Sequence, residues 1–164
     1  MIKLYHGSNL IIEKPQLVVP QRKLDFGAGF YTTLNSGQAE QFAEKVSNRE
    51  ESVGAFVSVF SVGELDALRN RFSICVFDEP NEDWLDFVYE NRMGIYEGED
   101  FDIVFGPVAN DTVFRTFIAY EAGIYTKEET IAHLKVHELF NQMVFKSESA
   151  IASLDYLESF EVTK

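Results

Sequence analysis

Three histidines occur in the 164 residues, and one of them, His6, sits in the stretch LYHGS near the N-terminus. An imidazole can donate or accept a hydrogen bond without adding a full charge, and a neighbouring glycine lets a planar group lie against the main chain. His6 and Gly7 therefore suit a ligand contact, and equally a core histidine whose two ring nitrogens both find partners. A second stretch, DFGAGFYTT (residues 25–33), spaces Gly27 and Gly29 as G-x-G. A dinucleotide fingerprint is excluded there, because a strand pattern rather than a helix follows and Thr32 stands where the third glycine belongs. What remains is a glycine-hinged loop that delivers Phe30 and Tyr31 into a strand, suited to a tight bulge or to close approach of a ligand.

His133 and His137 lie one helical turn apart in HLKVH, a spacing able to bind a metal from one face. Leu134 stands where a zinc protease carries glutamate, and no third ligand is evident, so no metal is expected. The run EGED (residues 97–100) lacks the alternating oxygen ligands of a calcium loop. Asp25, Glu138 and Glu148 flank these stretches, but no spacing says that any two converge as an acid and base pair.

These residues need elements to hold them. MIKLYH alternates as a short strand, a turn is expected at Gly7 to Asn9, and GFYTT reads as a second strand. Asn35 is placed to cap a helix in which Ala39, Phe42, Ala43 and Val46 recur at helical spacing. VGAFVSVFSV and FSICVF follow as strands joined by a short polar segment, and NEDWLDFVYENR as a helix burying Trp84, Leu85, Phe87 and Val88. FDIVFG is a buried strand. NDTVFRTFIAYEAG is a helix capped by Asn110 and Asp111, and TKEETIAHLKVHELF opens on the Thr126 and Glu129 spacing of a capping box. QMVFKS, a brief helix ESAIASLDYL and a strand SFEVT complete an α+β chain of six or seven strands. The strands do not alternate regularly with helices, which disfavours a doubly wound fold.

The length and the 46% hydrophobic content predict one domain over residues 1–164, with a core built on fifteen Phe and seven Tyr. No apolar run reaches the length of a membrane span and no leader pattern opens the chain, so a soluble, cytoplasmic protein without membrane contact is expected. The single cysteine, Cys75, reads as strand packing. A formal net charge of −13 argues against broad contact with nucleic-acid phosphates, while Arg22 and Lys23 form a compact basic pair ahead of the glycine loop. The same charge supports a rival reading, an acidic module that binds a basic partner.

LYHGS, DFGAGFYTT, DIVFGPVAND and NQMVFKS, in that order, resemble the ADP-ribosyltransferase superfamily. The order is that of its His-Tyr-Glu branch. More narrowly, the stretches resemble an uncharacterised bacterial family of transferase-like proteins assigned only a domain of unknown function. The resemblance implies a split, mixed β-sheet with surrounding helices and a central NAD cleft. It implies that His6 holds a ribose hydroxyl of NAD, that Gly7 grips the nicotinamide carboxamide, and that Tyr31 stacks on the nicotinamide ring, with Phe30 turned into the core. Ser8 and Gly29 fall within the same NAD site, and Arg22 or Lys23 becomes the diphosphate partner. Gln142 takes the position that is usually glutamate. A neutral amide can hold the ribose hydroxyl but offers no negative charge to a developing cation.

The activity implied is mono-ADP-ribosyl transfer with release of nicotinamide, with NAD as co-substrate. The acceptor is left open between protein, nucleic acid and small molecule, with hydrolysis of NAD as the neighbouring chemistry. Small bacterial relatives of this kind are often toxins, so a cognate antitoxin is an implied partner. Gln142 supports the alternative of a catalytically lapsed NAD-binding module.

Overall fold

The structure is a computed structural model that describes residues 1–17, 24–108, 111–135 and 139–163, with the side chains of 111–114 left aside. Arg22, Lys23, Asn110, His137 and Glu138 lie outside the described residues. Among the described residues seven strands and six helices follow in the order β1 (Ile2–Ser8), β2 (Phe30–Thr33), α1 (Ser36–Arg49), β3 (Phe56–Val62), α2 (Leu65–Arg69), β4 (Ile74–Val76), α3 (Glu82–Met93), β5 (Ile103–Pro107), α4 (Asp111–Glu121), α5 (Lys127–Leu134), β6 (Asn141–Phe145), α6 (Glu148–Ile151) and β7 (Asp155–Glu161). The fold is α+β, and the strands form one mixed sheet ordered β4-β5-β6-β2-β1-β3-β7. Among the described strands only β4 and β5 pair in parallel. Among the described residues no helix is long and apolar enough to cross a membrane.

Local chemistry explains the helix starts. The Asn35 side chain accepts a hydrogen bond from the Gln38 amide at 2.8 Å, satisfying one of the donors that the first turn of α1 leaves unpaired. Thr126 and Glu129 form the expected capping box at α5. Helix α3 ends at Gly94, whose φ of 71° is the left-handed cap that glycine adopts without strain.

Two apolar layers sandwich the sheet. On one side α3 packs Trp84, Leu85, Phe87 and Val88 with Phe26, Val104, Phe117 and Val144. The indole N–H of Trp84 donates to the Pro107 carbonyl at 2.6 Å, which ties α3 to the end of β5. On the other side Leu4, Phe30, Phe60, Ile103, Met143 and Phe145 pack against Ala150, Ile151 and Leu154 around α6.

Several expected boundaries shift for packing reasons. The turn expected at Gly7 to Asn9 is strand as far as Ser8, because β1 stays paired with β3 through Ser8 opposite Phe56. The polar link between β3 and β4 contains α2, which buries Leu68. The helix expected over ESAIASLDYL stops at Ile151, and DYL joins β7 against β3. In α1, Ala39 and Ala43 are buried but Phe42 faces solvent, because the contact line is narrower than the helical spacing implied. Cys75 is half-buried rather than fully enclosed, and burial raises the pKa of its thiol.

Candidate functional site

The centre of the sheet brings together three residues that are far apart in the chain. β1, which carries His6, lies beside β2, which carries Tyr31, and β2 lies beside β6, which carries Gln142. Pairing between β1 and β2 is confined to Tyr5 opposite Thr33, whereas β1 pairs with β3 along its whole length. Beyond that single rung the imidazole of His6 spans the gap, and its Nδ1 lies 2.7 Å from the Tyr31 carbonyl oxygen. A carbonyl only accepts, so Nδ1 carries the proton and Nε2 keeps its lone pair. Burial lowers the pKa of His6 from its ordinary value, partly offset by that hydrogen bond, which keeps the ring neutral at neutral pH. The ring also stacks on Phe30, with centroids 4.3 Å apart.

Alternation along the strands decides which side chains share a face. Thr33 lies opposite Gln142, Tyr31 opposite Val144, and Gln142 opposite Gly106. Tyr31 and Gln142 therefore share one face as diagonal neighbours, with backbones roughly 7–8 Å apart. His6 belongs to the other face with Leu4 and Phe30, and reaches the Tyr31 side only through the main chain. Gln142 is half-buried on a strand flanked by β2 and β5, and its carboxamide has no hydrogen-bond partner among the described residues.

Gly7 is a glycine for a reason in addition to any ligand. A Cβ built there would lie 2.0 Å from the Ala39 carbonyl oxygen and 2.9 Å from the Ala43 nitrogen, so α1 occupies the space that a side chain would need. Gly29 is likewise crowded, with a Cβ 2.7 Å from Val144 Cγ1. The Ser8 hydroxyl is used locally, accepting from the Leu10 amide at 3.3 Å.

The glycine loop closes on itself. The Tyr31 hydroxyl donates to the Gly27 carbonyl at 2.6 Å and accepts from the Phe26 amide at 3.1 Å. Burial, first of all, drives the pKa of this phenol well above its ordinary value, so Tyr31 stays a neutral donor. Gly27 takes a φ of 77°, a left-handed turn that fits glycine. Tyr31→Phe removes both bonds and leaves a loop carbonyl and amide unpaired, at an expected cost of about 1–2 kcal/mol in urea unfolding. An unchanged midpoint would mean that water replaces the hydroxyl freely.

Two features of the site carried no clear signal in the sequence. Lys146, one residue beyond β6, places its Nζ on the carbonyls of Phe26 and, at 2.9 Å, Ala28. Arg92 of α3 bridges Asp25 at 3.1 Å and Glu121 at 2.7 Å and lies over the Phe117 ring. Asp25 is thus held by an ion pair, while Glu148 opens α6 and lines a groove of about 510 Å³ against Glu13 to Leu17. A second depression of about 310 Å³ is lined by Asp78, Glu79, Pro107, Lys135 and Asn141 and ends one residue from Gln142. Neither depression is lined by His6 or Tyr31. His133 stacks on Tyr125, with centroids 4.8 Å apart, and no three His, Cys, Asp or Glu side chains cluster among the described residues.

Residues 2–156 match a family described as a protein of unknown function, DUF3990. The chain belongs to that family. The match covers β1 through the start of β7, so all the strands that carry His6, Tyr31 and Gln142 are features of a DUF3990 domain. No curated protein and no solved structure matches the chain. The family description assigns no activity, and the chemistry of this DUF3990 domain rests on its own residues.

Proposed function

We propose that this DUF3990 domain is an NAD-dependent mono-ADP-ribosyltransferase, with the NAD cleft at the parting of β1 and β2. The observation that carries the reading is the His6 bridge across that parting. A neutral imidazole, fixed through Nδ1 on Tyr31, presents an Nε2 lone pair able to accept from a ribose hydroxyl. Tyr31 is held by its own hydroxyl, so its ring is fixed before a ligand arrives, which favours orientation of a nicotinamide against it. Gln142, with an uncommitted carboxamide on the same face, can accept from a second ribose hydroxyl.

In the reaction the bond from the ribose anomeric carbon to the nicotinamide nitrogen breaks, and its electron pair leaves with neutral nicotinamide. An acceptor supplies the pair for the new bond to that carbon and loses a proton to water. The chain's part is to align the two reactants and to support the positive charge that develops on the sugar. Gln142 supports that charge only through a dipole, which favours a second reading, an NAD-binding domain whose catalysis has lapsed.

The test is incubation of the purified chain with NAD labelled in its adenine moiety, with and without a bacterial lysate. The reading predicts free nicotinamide together with label on a macromolecule. Nicotinamide without transferred label would reassign the chain to NAD hydrolysis, and release of neither by folded protein would contradict transfer and leave the lapsed domain.

A further inference from the structure

The glycine loop has committed the carbonyls of Phe26, Gly27 and Ala28 and kept the amides of Ala28 and Gly29. Leu24 accepts from the Gly27 amide at 3.0 Å, Gly27 accepts from the Tyr31 hydroxyl, and Phe26 and Ala28 accept from Lys146. All peptide bonds here are trans, so each N–H points away from the carbonyl of the preceding residue. The Ala28 amide therefore faces away from the Tyr31 hydroxyl, and the Gly29 amide away from Lys146. Neither has a hydrogen-bond partner among the described residues. Successive amides around a left-handed residue are the parts from which anion-binding concavities are built.

Charge points the same way. Lys146 is half-buried and makes no ion pair among the described residues, in a chain with 27 acidic and 14 basic side chains. Burial lowers its pKa, an effect only partly offset by the more distant Asp100, so its charge is poorly compensated from within. A half-buried ammonium behind the Gly29 amide, with the Ala28 amide free beside it, favours a negative group on the loop's outer side.

We propose that residues 27–29 form a phosphate-binding loop and that Lys146 is its positioning residue, drawing the Ala28 carbonyl inward so that the Gly29 amide faces out beside the Ala28 amide, which the Tyr31 hydroxyl turns out by holding the Gly27 carbonyl. The ligand class is a phosphate or diphosphate ester. This deepens the NAD reading, because it assigns the diphosphate of NAD to a main-chain site rather than to Arg22 or Lys23 alone, and it rests on that reading only for the identity of the ester.

The experiment follows the amide resonances of the intact chain by NMR during titration with inorganic phosphate, inorganic pyrophosphate and, separately, NAD. Pyrophosphate should shift Ala28 and Gly29 most, in a saturable way. Lys146→Met should weaken that binding roughly tenfold or more, the scale of a charged hydrogen bond, while the resonances of β1, β3 and β5 stay in place. Lys146→Arg, which keeps charge and donors, should restore most of it; a contribution from folding alone would not follow donor chemistry in this way. Pyrophosphate shifts without NAD binding would keep the loop and sink the NAD cleft. NAD binding that leaves Ala28 and Gly29 unmoved would keep the cleft and overturn the loop, and equal pyrophosphate affinity in folded Lys146→Met would overturn the role of Lys146.

Discussion

Replacing Gly7 by alanine should destabilise the fold by roughly 3 kcal/mol, the upper part of the range for overpacking a core. The new Cβ would stand 2.0 Å from a main-chain oxygen of α1, and a backbone atom cannot rotate away as a flexible side chain can. Relief requires the whole helix to lift from β1 and β3, where Ala39 is buried with Val57 and Val59. Urea unfolding measures the cost, with Gly63→Ala as the control, since the nearest atom to a Cβ there is Leu68 Cδ2 at 4.0 Å. A Gly7→Ala protein as stable as wild type would mean that α1 slides without penalty. The result also bears on function, because a loss of ligand binding in Gly7→Ala would follow from displaced helix packing and would not by itself assign a backbone contact to Gly7.

Gln142→Glu should raise the rate of nicotinamide release from NAD about a hundredfold. A carboxylate on that face supplies the negative charge that an oxocarbenium-like transition state demands, and removal of one such stabilising group in enzymes costs on the order of 10²–10³ in rate. The position is suited to the exchange. Gln142 is fixed between Thr33 and Gly106 in the ladder, and its carboxamide gives up no bond within the described residues when replaced. A rate at or below that of wild type, in a variant that still binds NAD, would show that the missing charge is not what limits the chain and would favour the lapsed domain.

The elements were largely legible because they follow local chemistry. The Asn35 cap, the Thr126 and Glu129 box and the apolar face of α3 depend on residues within one or two helical turns of each other. Phe30 and Tyr31 alternate as a strand requires, one in each apolar layer. What was not legible is pairing over long distances. Nothing near Gln142 says that β6 inserts between β2 and β5, so a position that sequence could take for an edge strand lies inside the sheet. The same holds for His6. Its neighbours mark it as a strand residue, but its face follows from the register of β1 against β3, which places it opposite Ser58 and away from the side chain of Tyr31. Lys146 and Arg92 carry no sequence signal for a related reason, since isolated basic residues have meaning only once the fold sets carbonyls or carboxylates beside them.

The central claim is that NAD binds where β1 and β2 part, and calorimetric titration of the folded chain with NAD tests it most directly, beside His6→Ala and Tyr31→Ala proteins checked for folding. The account predicts saturable binding by the wild type that both substitutions abolish. Absence of binding by the folded wild type, or binding that survives in both variants, would contradict it.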